Sequence, residues 1–297
     1  MHDISLTILF LAINRLNDSR AQRMVWLLEE LGVPYDVKIF HRGKDMLAPP
    51  ELSEIHPLGK SPVVTIQPNE PGAKEIVLAE SPFIAQYLCD HFGGGKDGTT
   101  GLVPKKYRDG QEGKLGGETE EWMRHQHLLY YSEGSLMPPL LVALILSGEL
   151  FSFLPLSLSL SSCLGHDDSN KQGKVISGPK IPFFIRPITS TVAGKVHNSF
   201  VVPNIDKHCA FLQQQLETSP NGGKYLCGDK LTAADILMSY PLLNLRRVEA
   251  LGGESQKGKL QEKYPKLFEY IAMLKEHEGF KRADKKIEEL EAKEKDS

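Results

Sequence analysis

The sequence predicts an α/β domain over residues 1–95, a glycine-rich linker at 96–117, an all-helical domain at 118–278 and a charged tail at 279–297. Three observations predict it. The first forty residues read as strand, helix, strand, a unit that needs a crossover and so a parallel pair. Residues 62–91 read as two strands and a closing helix across a turn-rich loop. Beyond the glycine-rich stretch no strand pattern persists, whereas apolar residues recur at helical spacing in several segments.

In chain order, residues 6–13 are rich in Leu, Ile and Phe, as a buried strand is, and the run breaks at Asn14-Arg15. Ala21, Met24, Val25 and Leu28, with Leu27 and Leu31, form the stripe of an amphipathic helix, which Gly32 closes with Pro34 just beyond. Residues 35–40 are a short second strand. Residues 62–66 and 75–78 are two more, separated by Gln67-Pro68-Asn69-Glu70-Pro71-Gly72, and 82–91 form a helix. The order βαβ then ββα is that of a thioredoxin-like domain. Nine glycines between Gly93 and Gly117, among charged residues, have the composition of a flexible linker.

In the second half, residues 122–146, 203–216, 233–245 and 265–274 read as helices. Thr232-Ala233-Ala234-Asp235 is a capping box, in which Thr232 accepts from the helix and Asp235 reaches back; it is a folding device and not a catalytic acid. Residues 150–177 alternate Leu with Ser and then turn polar. They interrupt a short helix connection and read as an insertion forming a long loop. The tail alternates Lys and Arg with Glu and Asp, the pattern of a solvated helix or frayed end.

Composition narrows the function. With 297 residues, 40% of them hydrophobic, there is ample material for a buried core. A formal charge of −3 from 35 basic and 38 acidic residues offers no excess to neutralise phosphates, so no nucleic-acid partner is expected. Cys89, Cys163, Cys209 and Cys227 are far apart, without C-x-x-C or a paired Cys/His set. Neither a disulfide framework nor a metal is signalled, and a reducing compartment fits. The first residues lack a basic region and read as a strand, not a signal peptide. The apolar stretch 140–146, bounded by Pro138-Pro139 and Gly148-Glu149, is well short of the ~20 residues that cross a bilayer. The expectation is a cytoplasmic protein without a transmembrane segment; the apolar composition of 136–164 leaves peripheral membrane association open.

Two motifs carry the chemistry. In His56-Pro57-Leu58-Gly59-Lys60-Ser61-Pro62 a proline opens an apolar strand, where a missing N–H is tolerated and a cis bond would turn a carbonyl outward. An extended peptide can pair with such an edge. In Ala79-Glu80-Ser81-Pro82-Phe83-Ile84, Ser81 is a natural N-cap and Pro82 a first helical residue, so a hydroxyl and free N–H groups face outward and attract a carboxylate. With Ser19-Arg20 ahead of them, these segments resemble glutathione transferases, most closely the fungal group. The resemblance spans residues 5–93, 114–149 and 178–275.

The resemblance implies the glutathione transferase fold: the thioredoxin-like domain followed by a helical bundle. It also implies glutathione as co-substrate without a metal, a small hydrophobic electrophile as its partner, a role in detoxification and a homodimer. It assigns Lys60 to the glycine carboxylate, the Ser61 backbone before Pro62 to the cysteinyl unit, and Glu80 with Ser81 to the γ-glutamyl end. Arg42 is a further charge near the glycine end, though a lone Arg in a polar loop is more often merely solvated. Ser19, where the first strand meets the first helix, is the expected thiolate-stabilising donor, with Arg20 as electrostatic support. Its bland role is an N-cap, and Asn17 is the rival donor. Tyr130 and Tyr131, in a segment close to the fungal members, are candidates for the electrophile pocket or simply for the core. Residues 17–20, Asn-Asp-Ser-Arg, contain no cysteine, which argues against thiol-disulfide exchange through the protein's own sulfur. Conjugation and glutathione-dependent peroxidase activity both need only the activated thiolate. The alternative is a non-catalytic binding or regulatory protein on the same fold.

Overall fold

In the computed structural model, which describes residues 8–17, 19–43, 47–93, 101–146, 192, 194–251 and 258–295, four strands form one mixed sheet in the order β2-β1-β3-β4. β1 (Ile8–Leu16) pairs parallel with β2 (Asp36–Phe40) and antiparallel with β3 (Val63–Pro68), which pairs antiparallel with β4 (Ile76–Ala79). The crossover between β1 and β2 is α1 (Gln22–Leu31), closed by Gly32 at φ 64, whose N–H bonds Leu28 O. α3 (Ser81–Phe92) closes the domain, and a short helix that the sequence did not announce, α2 (Glu51–Ile55), follows β2.

β1 runs three residues beyond its expected end. Asn14 and Arg15 stay in the strand because each finds an internal partner: Asn14 Nδ2 donates to Val63 O at 3.3 Å, and Arg15 Nη1 pairs with Glu291 at 2.6 Å. The linker differs in another way. Its residues 101–117 are folded, with Gly110, Gly113 and Gly116 taking positive φ in successive turns and Arg108 N–H bonding Gly117 O at 3.0 Å. At these three positions glycine serves a backbone geometry that other residues rarely adopt.

The helical half begins with α4 (Glu120–Tyr131), capped by Thr119, which accepts from Trp122 N–H, and continues without a break into α5 (Met137–Leu146) through a π-helical turn, Ser132–Leu136. Pro138 and Pro139 explain the turn. Their rings would clash with carbonyls one turn back and they offer no N–H, so the helix widens to a five-residue repeat, Met137 N–H bonding Ser132 O. The prolines therefore do not end the helix. The combined span Glu120–Leu146 is long and apolar enough, by length and composition, to cross a membrane, with 56% of its apolar window buried in the fold.

α6 (Val202–Glu217), α7 (Ala233–Leu251), α8 (Lys259–Lys263), α9 (Pro265–Glu276) and α10 (Glu278–Lys295) complete the domain. At the head of α7, Asp235 reaches back to Thr232 N–H at 2.8 Å. The Thr232 hydroxyl donates to the same carboxylate at 2.6 Å. The charged tail is α10, and it is not fully solvated: Phe280, Ala283 and Ile287 are buried, and the helix packs on α1. α1 thus packs against α3, α7 and α10, and every residue from Arg23 to Leu28 is buried. The insertion expected at 150–177, with Cys163, lies outside the described residues.

Candidate active site

Sheet register brings the two sequence motifs together. Val63 stands opposite Asn14 of β1 on one side and Ala79 of β4 on the other, so the chain ends that follow β1, precede β3 and follow β4 share one end of the sheet. Ser19, Ser61-Pro62 and Glu80-Ser81 lie on those three ends. The Ser61–Pro62 bond is cis.

Ser61 is tied to β1 by its side chain. Its hydroxyl donates to Asn14 O at 3.0 Å and accepts from Leu16 N–H at 3.0 Å. Ser19 Oγ lies 3.3 Å from Ser61 Oγ and accepts from Ala21 N–H at 3.3 Å. A hydroxyl has one proton, and that of Ser61 is spent on Asn14, so Ser19 is the donor in the Ser19–Ser61 pair. Ser19 closes a turn two residues long; α1 starts later, after Ala21, which has no side-chain cap. Asn17 bridges β1 and β2: its N–H bonds Phe40 O at 3.0 Å and its Oδ1 accepts from Arg42 N–H at 2.9 Å.

Glu80 takes φ 70 and ψ 113, a conformation that costs a non-glycine residue roughly 1–3 kcal/mol. It is held by the pairing of Ala79 with Val63 before it and by Ile84 N–H on its carbonyl at 2.9 Å after it. The side chains of Glu80 and Lys60 are exposed and that of Arg42 half-buried. Ser81 does not serve as the N-cap: it is the first residue of α3, it is buried, and its Oγ accepts from Arg23 Nη2 at 3.0 Å.

Arg23 was not among the expected site residues. It is fully buried, and besides Ser81 it donates to Leu237 O at 2.8 Å and to Glu133, while Arg20 reaches the other oxygen of Glu133 at 3.1 Å. Burial pulls the Arg23 pKa below the ordinary guanidinium value, and Glu133 beside it opposes that. A signal for Arg23 existed, because it shares the helix face of Leu27 and Leu31. Glu133 had its own, as a lone carboxylate in an apolar helical run.

The two tyrosines do not share a pocket. Tyr130 is 51% exposed and its OH bonds Gln86 of α3, whereas Tyr131 is buried, its OH on His208 and its ring 5.1 Å from Phe211 of α6. Adjacent helical residues point about 100° apart, which sends them to different neighbours. A cavity of about 420 Å³ walled by Glu30, Phe92, Lys224, Asp229 and His277 lies at the opposite end of α1 from Ser19. Burial pushes Cys89 and Cys209 up to about 12 and Cys227 well above its ordinary value, so these thiols stay protonated. Among the described residues no three His, Cys, Asp or Glu side chains cluster as metal ligands would.

Comparison with known proteins bears on this arrangement. Residues 19–91 match the family model described as "Glutathione S-transferase, N-terminal domain", and residues 183–282 match "Glutathione S-transferase, C-terminal domain". Glutathione S-transferase 1 of Saccharomyces cerevisiae is 32% identical over 230 residues, which is 77% of this chain and 78% of the relative. Glutathione S-transferase 3 of Schizosaccharomyces pombe is 24% identical over 237 residues, 80% and 75% of the two chains. Among solved structures, glutathione transferase URE2P8 from Phanerochaete chrysosporium with oxidized glutathione superposes with a TM-score of 0.57 at 15% identity, covering 95% of this chain and 96% of that one. A glutathione transferase homolog from Lodderomyces elongisporus, with two GSH per subunit, gives 0.57 at 17% identity over 92% and 97%.

Proposed function

Because this chain belongs to the glutathione S-transferase family, we propose that it activates the thiol of glutathione for attack on a small hydrophobic electrophile. The observation that carries the reading is the Ser19 hydroxyl, whose oxygen is held by Ala21 N–H while its proton rests on a neutral partner, Ser61 Oγ. A free thiol has a pKa of about 8.5, and lowering it by two units takes about 2.7 kcal/mol. A hydrogen bond to a charged group contributes roughly 1.5–3 kcal/mol, and the N-terminus of α1 adds to it. Turning the proton from Ser61 to a thiolate exchanges a neutral bond for a charge-assisted one, which favours the turn.

On this reading Lys60, with Arg42 as a second charge, receives the glycine carboxylate. The Ser61 backbone before Pro62 pairs with the cysteinyl unit, Glu80 accepts the ammonium, and Ser81 donates to the γ-glutamyl carboxylate. Arg20 supports the thiolate through charge, and Asn17 fixes the turn that carries Ser19. Tyr130 and Tyr131 shape the surroundings of the electrophile only through α4, since they face apart. The thiol proton leaves to solvent, and the sulfur lone pair forms the C–S bond as the leaving group departs with its electrons. The same thiolate reduces a hydroperoxide when a second glutathione completes the disulfide, giving alcohol and water. Structural neighbours with bound glutathione support it as co-substrate. The protein works in this reading as a cytoplasmic homodimer in detoxification.

The test is calorimetric glutathione binding on the full-length protein, with conjugation to a general aryl halide and reduction of an organic hydroperoxide, in wild type and Ser19→Ala. Binding retained with both activities reduced supports the assignment. Binding by the wild type without turnover on either substrate class indicates the non-catalytic alternative, and no binding at all refutes both.

A further inference from the structure

We propose that Arg23 is the positioning residue of the γ-glutamyl clamp, orienting the Ser81 hydroxyl so that its proton is directed toward a carboxylate; this rests on the glutathione reading above. A buried arginine is costly, and an apolar side chain would fill the same space without that cost. Arg23 is nonetheless fully buried, with Nε lacking any hydrogen-bond partner, and spends its two terminal nitrogens on acceptors from three other elements.

Each acceptor has a reason to be there. Leu237 O lies four residues before Pro241 inside α7, and a proline has no N–H, so that carbonyl has no helical donor and takes Arg23 Nη1 instead. Glu133 sits in the π-helical turn that Pro138 and Pro139 impose. The third acceptor, Ser81 Oγ, stands at the head of α3 beside the strained Glu80. The ring of Tyr240 lies 5.6 Å from the guanidinium carbon and completes the enclosure.

The consequence for Ser81 follows from its proton. With one lone pair taken by a cationic donor, the hydroxyl turns its hydrogen away from Arg23 and becomes a stronger donor. Two guanidinium groups, Arg20 and Arg23, share the single carboxylate of Glu133, which leaves the cluster one net positive charge. A site so arranged favours an anion at Ser81, while the exposed Glu80 is left for the ammonium of the same ligand.

The test uses full-length protein, titrated calorimetrically with glutathione and with the analogue lacking only the γ-glutamyl α-carboxylate. Wild type, Arg23→Gln, Ser81→Ala and the double variant form a cycle. Arg23→Gln is expected to weaken glutathione about tenfold, with KM rising in step, since the lost interaction is one charge-assisted hydrogen bond. It should leave the analogue's affinity unchanged and have no further effect in the Ser81→Ala background. Arg23→Lys, with one ammonium for three acceptors, should lose a few-fold and carries the cycle if Arg23→Gln does not fold. An equal loss for both ligands, or an undiminished loss once Ser81 is alanine, overturns the assignment while leaving the transferase reading intact. Failure of the wild type to bind glutathione overturns both.

Discussion

Replacing Asp235 by asparagine should unfold this protein more easily by about 2–3 kcal/mol, although the two side chains have the same shape. The Asp235 carboxylate is fully buried and accepts four hydrogen bonds. Oδ1 takes Leu226 N–H at 3.1 Å and Tyr270 OH at 2.6 Å, and Oδ2 takes Thr232 N–H at 2.8 Å and Thr232 OH at 2.6 Å. Asparagine keeps one oxygen and presents an NH₂ in place of the other. In one flip the NH₂ faces Leu226 N–H, in the other Thr232 N–H. The hydroxyls can rotate away, but neither backbone N–H can. An orphaned buried donor costs about 1–3 kcal/mol, and the remaining bonds lose their charge. Two to three kcal/mol corresponds to a melting point lower by about 3–5 °C in a chain of 297 residues. Asp235→Ala strands all the donors at once, leaves a void, and should cost more than 4 kcal/mol. Thermal and urea unfolding followed by circular dichroism read both. If asparagine melts within a degree of wild type, or is worse than alanine, the counting of donors is refuted.

Two further outcomes are expected. Burial pushes His125 down to about 4 from its ordinary 6.5, so the unfolded chain takes up a proton that the folded chain refuses. Stability from this residue is complete above pH 6.5 and falls by up to about 3 kcal/mol as pH drops to 4; urea midpoints across that range should show the slope in wild type and a flatter one in His125→Asn. At the start of α10, a Cβ on Gly279 would overlap Glu30 Oε1 and lie 2.8 Å from Trp26 Nε1, two atoms already hydrogen-bonded to each other. Gly279→Ala should therefore cost about 1–3 kcal/mol by denaturant titration, and a neutral result would show that α10 docks more loosely than this contact implies.

The fold was legible where apolar residues kept a period and prolines or glycines punctuated it. The stripe of α1 with its Gly32 stop and the paired prolines at 62 and 82 are examples. It was less legible where polar residues were buried. Asn14 and Arg15 ended the expected strand because polarity reads as exposure, yet Val63 O and Glu291 receive them inside. α10 read as solvated because charged residues surround Phe280, Ala283 and Ile287, although those three share one helix face. In the site, Ser19, Ser61 and Ser81 stood out through their local motifs, and sheet pairing brings their segments together. Arg23 and Glu133 did not stand out. Their partnership spans 110 residues, and that of Arg23 with Leu237 spans 214, separations that no local pattern encodes.

The burial of α1 from Arg23 to Leu28 sets a rule for recombining this protein with its relatives. A hybrid joining its first half to a foreign helical half would inherit a guanidinium sealed in the seam. Such a graft is viable only if the incoming half carries a carboxylate at the place of Glu133 and a proline that frees the backbone oxygen of Leu237. The seam, and not the linker, decides which halves are interchangeable.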